Sequence, residues 1–192
     1  DQQRGELRTQ ISKDNNLIFF AEDIPSVGYK VFWLKQVARD CQAEVKVNLL
    51  ENEQVKVIVN EQTGDLESIF DKVHQREVLA GAGNQIQTFQ DQGQYWDAWN
   101  IDPHYAQYPL EETQLKSLEY LETGPLRWCL RVVRQWRDSQ FCQDYILEID
   151  SPILKIVNRV DWRETHVLVK VAFPLTVAND FATYEIACGA IN

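Results

Sequence analysis

Apolar residues recur at every second position along most of this chain. From Leu126 onward, Leu126, Trp128, Leu130, Val132 and Trp136 alternate with Arg127, Arg131, Gln135 and Arg137. A half-buried strand requires that period, because successive side chains leave on opposite faces. Phe141, Tyr145, Leu147 and Ile149 then alternate with Asp144, Glu148 and Asp150. Asp138-Ser139 joins the two runs, which predicts an antiparallel hairpin. With Arg137 opposite Gln140, Cys129 falls opposite Glu148, so Cys129 and Cys142 are not expected to be cross-strand neighbours.

The same logic predicts strands over Val45 to Leu50, Gln54 to Asn60, Leu66 to Asp71, Asn84 to Gln90, Leu115 to Leu121, Ile153 to Trp162 and His166 to Pro174. Glu61-Gln62-Thr63-Gly64-Asp65 places a glycine where a hairpin loop needs a positive φ, and Ala80-Gly81-Ala82-Gly83 is a second break. No segment longer than about ten residues keeps apolar residues at i, i+3, i+4 and i+7, so little helix is expected. The expected fold is all-β, a sandwich of long antiparallel strands.

One boundary is legible. Ile24 to Leu34 reads as a turn and a strand, followed by a polar connector from Gln36 to Glu44. Residues 1–44 are therefore expected to end a preceding small β-unit, and 45–192 to hold the sandwich. The longest connection, Asp91 to Pro109, is rich in aromatic and acidic residues, and long loops tend to carry function.

Composition narrows the partners. A formal charge of −10 repels phosphate backbones and anionic lipid, so neither nucleic acid nor membrane is expected to bind. No apolar run approaches the roughly 18 residues of a membrane span. The four cysteines, Cys41, Cys129, Cys142 and Cys188, lie far apart without a C-x-x-C pair, and reduced, buried thiols in the cytoplasm are expected. There is no Met, so the chain is expected to be a piece of a longer polypeptide.

The segment with most chemical content is Tyr95-Trp96-Asp97-Ala98-Trp99-Asn100-Ile101-Asp102-Pro103-His104-Tyr105. Indole rings stack on the C–H faces of a pyranose while carboxylates and amides bond its hydroxyls, which makes Trp96, Asp97, Trp99, Asp102 and Tyr105 the candidate substrate-binding residues. The competing explanation is that these rings anchor the loop against the sandwich or another domain. His74, His104 and His166 form no His-x-Asp or His-x-x-x-His arrangement, so no metal is expected within the chain. Glu111-Glu112 and Asp161 with Glu164 are the available acid pairs, but a glycosidase dyad needs a separation of roughly 5 to 9 Å that sequence spacing does not specify. No Gly-x-Ser-x-Gly elbow, telling Cys and His pair or phosphate-cradling glycine loop occurs.

Several blocks resemble glycoside hydrolase family 38 α-mannosidases. Leu50-Glu51-Asn52-Glu53, Val55-Lys56-Val57 and Thr63 to Lys72 are similar to the opening of that family's C-terminal β-region. Arg76 to Ala80, Gly83-Asn84 and the Tyr95 to Asp102 block continue it, the last resembling the family's Trp-Asp-Ala-Trp-Asp-Ile-Asp run. Val160 to Glu164, Lys170 to Pro174, Ala182 to Ile186 and Gly189 to Ile191 resemble the next block. Ile24 to Tyr29 is similar to the segment before the region. Asn100 replaces the acid expected after the second Trp, and the chain stops where the family continues with Arg-Pro-Thr-His.

The resemblance implies a galactose-mutarotase-like supersandwich, of which this chain carries an incomplete first part. It implies a retaining exo-α-mannosidase as the parent, with a divalent cation, usually zinc, in a separate upstream catalytic domain. That domain would supply a His-x-Asp metal pair, a carboxylate nucleophile and a carboxylate acid/base, none of which occurs here. The chain is then expected to be non-catalytic, with no cofactor of its own, and to shape the cleft for a mannose-containing oligosaccharide while supporting the parent's catalytic domain. Two rivals are a free-standing carbohydrate-binding module, in which Trp96 and Trp99 form a stacking platform, and an aldose mutarotase or epimerase, which needs a His and carboxylate pair across a concave sheet.

Overall fold

The computed structural model describes residues 6–35, 48–93, 96 and 99–191. Among them the regular structure is β, apart from one short 3₁₀ turn at Tyr105–Gln107. The strands are β1 (Thr9–Ile11), β2 (Leu17–Phe19), β3 (Leu49–Glu51), β4 (Val55–Val59), β5 (Leu66–Asp71), β6 (Arg76–Glu77), β7 (Gln85–Gln90), β8 (Gln114–Thr123), β9 (Arg127–Trp136), β10 (Ser139–Glu148), β11 (Lys155–Asp161), β12 (Val167–Ala172), β13 (Tyr184–Ile186) and β14 (Gly189–Ile191).

Two layers face each other, and every strand pairing is antiparallel. One layer is the sheet β8-β9-β10-β11. The other is β3-β4-β5-β6 joined to the β7-β12 ladder. The join runs through bridges Leu66–Gly83 and Leu79–Leu175, and through the amides of Ala80 and Thr176, which donate to Pro174 and Val78 carbonyls at 2.9 and 3.0 Å. Glu77 stiffens it: its carboxylate accepts from Ser68 Oγ and from the amides of Ile69, Val78 and Leu79.

Alternation explains the core. Val55, Val57 and Val59 of β4 meet Leu130 and Val132 of β9 and Tyr145 and Leu147 of β10, all buried, because each strand sends its even or odd set inward. A second cluster of Ile86, Trp136 and Phe141 is extended by Leu110, Val167 and Val169. Trp162 stacks on Trp136 at 5.9 Å and meets Phe141 edge-on at 6.0 Å.

The all-β sandwich expectation holds, and so do the β9 and β10 runs. Their register differs from the one read off the sequence: Trp136 faces Ser139, Gln135 faces Gln140 and Cys129 faces Ile146. Arg137-Asp138 is the two-residue turn, with Arg137 at φ 48°. The shift lets Trp136 and Ser139 pair inside the ladder, which is where Trp136 buries its ring. Cys129 and Cys142, opposite Ile146 and Val133, are indeed not neighbours.

The strand expected within Ile24 to Leu34 does not form, since residues 20–35 contain no strand. Val27, Tyr29, Val31 and Trp33 alternate in sequence but are all exposed, and alternation without a hydrogen-bonded neighbour does not make a strand. Residues 45–47 of another expected strand lie outside the described residues, and the strand itself is seen as Leu49–Glu51. The β1-β2 hairpin instead lies across the outer face of β8-β9-β10. Gln10 Nε2 donates to Glu122 and to the Arg127 carbonyl, while Gln10 Oε1 accepts from the amides of Leu126 and Arg127. Lys13 Nζ donates to Asp144 at 3.1 Å.

Candidate functional site

The loop after β7 is tethered at both ends of its span. Gln90 N donates to the Tyr108 carbonyl at 2.9 Å and Leu110 N to the Thr88 carbonyl at 2.8 Å. A long loop whose ends are pinned to one strand can project side chains without costing the sheet its pairing. Trp96, at φ 56°, opens a turn in which Trp99 and Asn100 amides donate to its carbonyl at 2.6 and 3.0 Å. Both indoles point to solvent, with Trp96 76% and Trp99 88% exposed.

Asp102 organises the next turn: its carboxylate accepts from the His104 amide at 2.8 Å and its carbonyl from the Tyr105 amide at 3.0 Å. Tyr105 packs edge-on against Phe89 of β7 with centroids 5.1 Å apart. Lys170 of β12 donates to the Tyr105 hydroxyl and holds its ammonium 4.4 Å from the ring centroid. The structure thus places Trp96 and Trp99 in one turn and Asp102 in the next, whose Tyr105 is anchored on β7 and β12. Asp97 lies outside the described residues. Of the two anchorages considered from sequence, packing of the indoles against the described strands of the sandwich does not occur. Neither of two shallow clefts, of about 400 and 310 Å³, is lined by a residue from Trp96 to Tyr105.

In each acid pair considered from sequence one member is tied to a guanidinium. Glu111 is bonded to Arg137 at 2.5 Å and Asp161 to Arg163 at 2.8 Å, and those guanidinium hydrogen bonds hold both carboxyls below their usual range. Glu164 accepts from the Asp138 amide at 3.2 Å. A general acid needs the opposite shift. Among the described residues no three His, Cys, Asp or Glu side chains group as metal ligands.

Two further acids are buried on the face that carries the β1-β2 hairpin. Burial pushes Asp144 up, but hydrogen bonds from Arg131, Arg159 and Lys13 outweigh it and hold the carboxyl well below its ordinary value. Glu122 follows the same pattern, with burial overcome by a two-pronged bond from Arg127 at 2.7 Å and by the Lys13 amide. Both are locked as anions. On the same face the buried Cys129 thiol is pushed up to about 11, chiefly by burial. The reading of every cysteine as buried needs correcting: Cys142 is half-buried and Cys188 exposed, though with Cys129 all three are free. Cys41 lies outside the described residues.

Between the layers lies a polar network that the alternation pattern passed over. Arg134, fully buried, reaches Asp65 at 2.9 Å, the Thr63 carbonyl at 3.0 Å and the Gln143 side chain. Gln143 donates to Asn158 at 2.7 Å, Asn84 donates to the Tyr145 hydroxyl, and that hydroxyl donates to the Gly64 carbonyl at 2.9 Å. Arg134 and Gln143 sit at apolar-face positions of β9 and β10. A polar residue breaking the inward series was the available signal.

The model of the glycosyl hydrolases family 38 C-terminal domain matches residues 50–192. The chain therefore belongs to glycoside hydrolase family 38, within its C-terminal domain. It is 34% identical over 133 residues to human alpha-mannosidase 2C1, covering 66% of this chain and 13% of that protein, and 35% identical over 133 residues to the mouse protein of the same name. Alpha-mannosidase G of Dictyostelium discoideum is 26% identical over 151 residues, 74% of this chain and 14% of its own length. The chain thus spans only about an eighth of the curated relatives it matches. No helix among the described residues is long and apolar enough to cross a membrane.

Proposed function

We propose that this chain is a non-catalytic β-sandwich portion of a retaining, metal-dependent exo-α-mannosidase of the cytoplasm. The parent releases terminal α-linked mannose through a glycosyl-enzyme intermediate on a carboxylate. Nucleophile, acid/base and divalent cation, zinc by family resemblance, belong to a catalytic domain outside these residues. Residues 1–44 end a preceding unit and connect it to the sandwich, which begins at 45. The family match over residues 50–192 carries the reading, and the relatives' names, all α-mannosidases, support it.

In this role the loop holding Trp96, Asp97, Trp99, Asp102 and Tyr105 borders the cleft for a mannose-containing oligosaccharide, and the sandwich supports the catalytic domain. Turnover of an aryl α-mannoside is the direct test. The full polypeptide is expected to hydrolyse it with retention and to lose that activity on chelation, with zinc restoring it, while residues 1–192 alone stay inactive. Hydrolysis by residues 1–192 would refute the assignment.

The exposure of both indoles favours a second reading, a carbohydrate-binding module whose stacking platform is Trp96 and Trp99. Titration of residues 1–192 with mannose oligosaccharides separates the two. Tight binding, lost in Trp96→Ala and Trp99→Ala, supports the module; binding only in the full polypeptide supports the cleft.

A further inference from the structure

Successive side chains of β7 and β12 leave on opposite faces of their ladder. Ile86 and Thr88 of β7 are buried and so mark its inward face. Gln87 and Phe89 therefore lie outward, and with them their register partners on β12, Lys170 and Leu168. The loop that carries the two indoles returns over this outer face and sets Tyr105 on it. Phe89 and Lys170 are diagonal neighbours across the ladder, and one ring meets both. The Tyr105 centroid is 5.1 Å from that of Phe89, edge-on, and 4.4 Å from the Lys170 ammonium, which also donates to the Tyr105 hydroxyl. Among the described residues, Tyr105 is the partner of that ammonium.

Tyr105 stands between the sandwich and the indoles. Its amide donates to the Asp102 carbonyl at 3.0 Å, and Ile101 alone separates Asp102 from Asn100, whose amide closes the Trp96 turn at 3.0 Å. On the approach from β7, the nearest tether among the described residues is the Asp91 amide on the His166 carbonyl at 2.8 Å. With Tyr105 released, that bond and the one from Gln90 to Tyr108 would hold the loop at its neck. A loop closed only at its neck samples many positions, and ordering it around a ligand lowers affinity. A contact that presets the loop does the reverse.

We propose that Lys170 is a positioning residue for the substrate loop. By holding the Tyr105 ring on the outer face of β7-β12, it fixes the turn from which Trp96 and Trp99 meet a mannose-containing oligosaccharide. The inference rests on the reading of this loop as a border of the cleft. Lys170 acts through Tyr105 and not on a reacting atom, so its effect falls on sugar affinity and not on bond cleavage. Methionine at this position would keep an aliphatic stem but supply neither the hydrogen bond nor the cation over the ring. Arginine would supply both.

Kinetics and hydrogen exchange on the full polypeptide test it together. Lys170→Met is expected to raise KM for a mannose oligosaccharide about three- to tenfold and to leave kcat within about twofold. Lys170→Arg should restore most of the loss. In substrate-free enzyme, Lys170→Met should speed exchange of the Trp99, Asn100 and Tyr105 amides about fivefold or more, while the amides that pair β7 with β12 stay unchanged. Built into Trp96→Ala/Trp99→Ala, the same substitution should shift KM by less than about 1.5-fold, because it acts through rings no longer present. A full loss added to that of the indoles overturns the proposal, since Lys170 would then meet the sugar itself. Unchanged loop exchange also overturns it, as does faster exchange of the ladder, which would make the residue a prop for the sheet. Wild-type turnover of an aryl α-mannoside keeps the two claims apart. Active enzyme whose KM ignores Lys170→Met sinks the positioning role alone. An inactive wild type whose loop amides still loosen in Lys170→Met sinks the functional reading and upholds the hold of Lys170 on the loop.

Discussion

Arg134 shows how a residue can be essential to the interior while a hydropathy pattern marks it only as a break in an apolar series. Its guanidinium, buried between layers, is satisfied by Asp65, the Thr63 carbonyl and Gln143. Removing one partner of a buried ion pair leaves the other charge uncompensated. Arg134→Leu is therefore expected to cost about 3–5 kcal/mol in urea unfolding, and a loss under about 1 kcal/mol would mean the network is solvated. Gly64 is the neighbouring case: φ is 77° and an added Cβ would lie 2.4 Å from Val132 Cγ1. Gly64→Ala should cost about 1–3 kcal/mol from strain and overpacking together, read from the same denaturation midpoint. The glycine was legible from its turn context. Arg134 was legible only as a polar break in the inward series of β9, because alternation gives the face of a side chain but not the partners, Asp65, Thr63 and Gln143, that let a charge be buried there.

At the scale of elements, long runs with strong alternation were readable and short ones were not. β9 and β10 each keep ten residues in register, so period alone identified them. β1 and β2 have three residues each, too few for a period, and owe their place to Gln10 and Lys13 gripping β8-β9-β10. Gln10→Ala would orphan the amides of Leu126 and Arg127 and is expected to destabilise by about 1–3 kcal/mol. It should also speed thiol labelling of the buried Cys129; unchanged labelling would show that the hairpin does not guard that face. The loop makes the opposite prediction. Trp96 and Trp99 were identified by composition, but their exposure depends on turns that composition does not encode. Because both rings face solvent, Trp96→Ala and Trp99→Ala should leave stability within about 0.5 kcal/mol. In the full polypeptide each is expected to lower kcat/KM on mannose oligosaccharides about three- to tenfold, the worth of one ring stacked on a sugar. An unchanged kcat/KM would remove the loop from the substrate site.

The response of the whole molecule to acid follows from where its charges lie. Asp144, Glu122 and Glu77 are all held below their ordinary values, in each case because hydrogen-bond donors outweigh the effect of burial. A carboxyl whose folded value is depressed adds stability above its unfolded value, near pH 4, and loses it as pH falls through the folded value. Asp65 has the reverse sign, since burial raises it against the pull of Arg134, so its protonation favours the folded state. These three depressed acids, joined by Asp71, Glu111 and Asp161 at the surface and opposed by one raised acid, predict a chain that is level in stability near neutrality and weakens steeply below about pH 4. The weakness should surface first where Lys13, Arg131 and Arg159 converge on Asp144, because protonation there leaves three cations facing one another. Asp144→Asn imposes that state at every pH. It is expected to cost about 2–3 kcal/mol at pH 7, less than a fully buried pair because Arg159 can turn to water, and to shallow the acid limb of a urea-midpoint profile from pH 7 to 3. A variant profile parallel to the wild type would place the acid sensitivity elsewhere. The hairpin bonded to this cluster through Lys13 would then not be the part that acid releases.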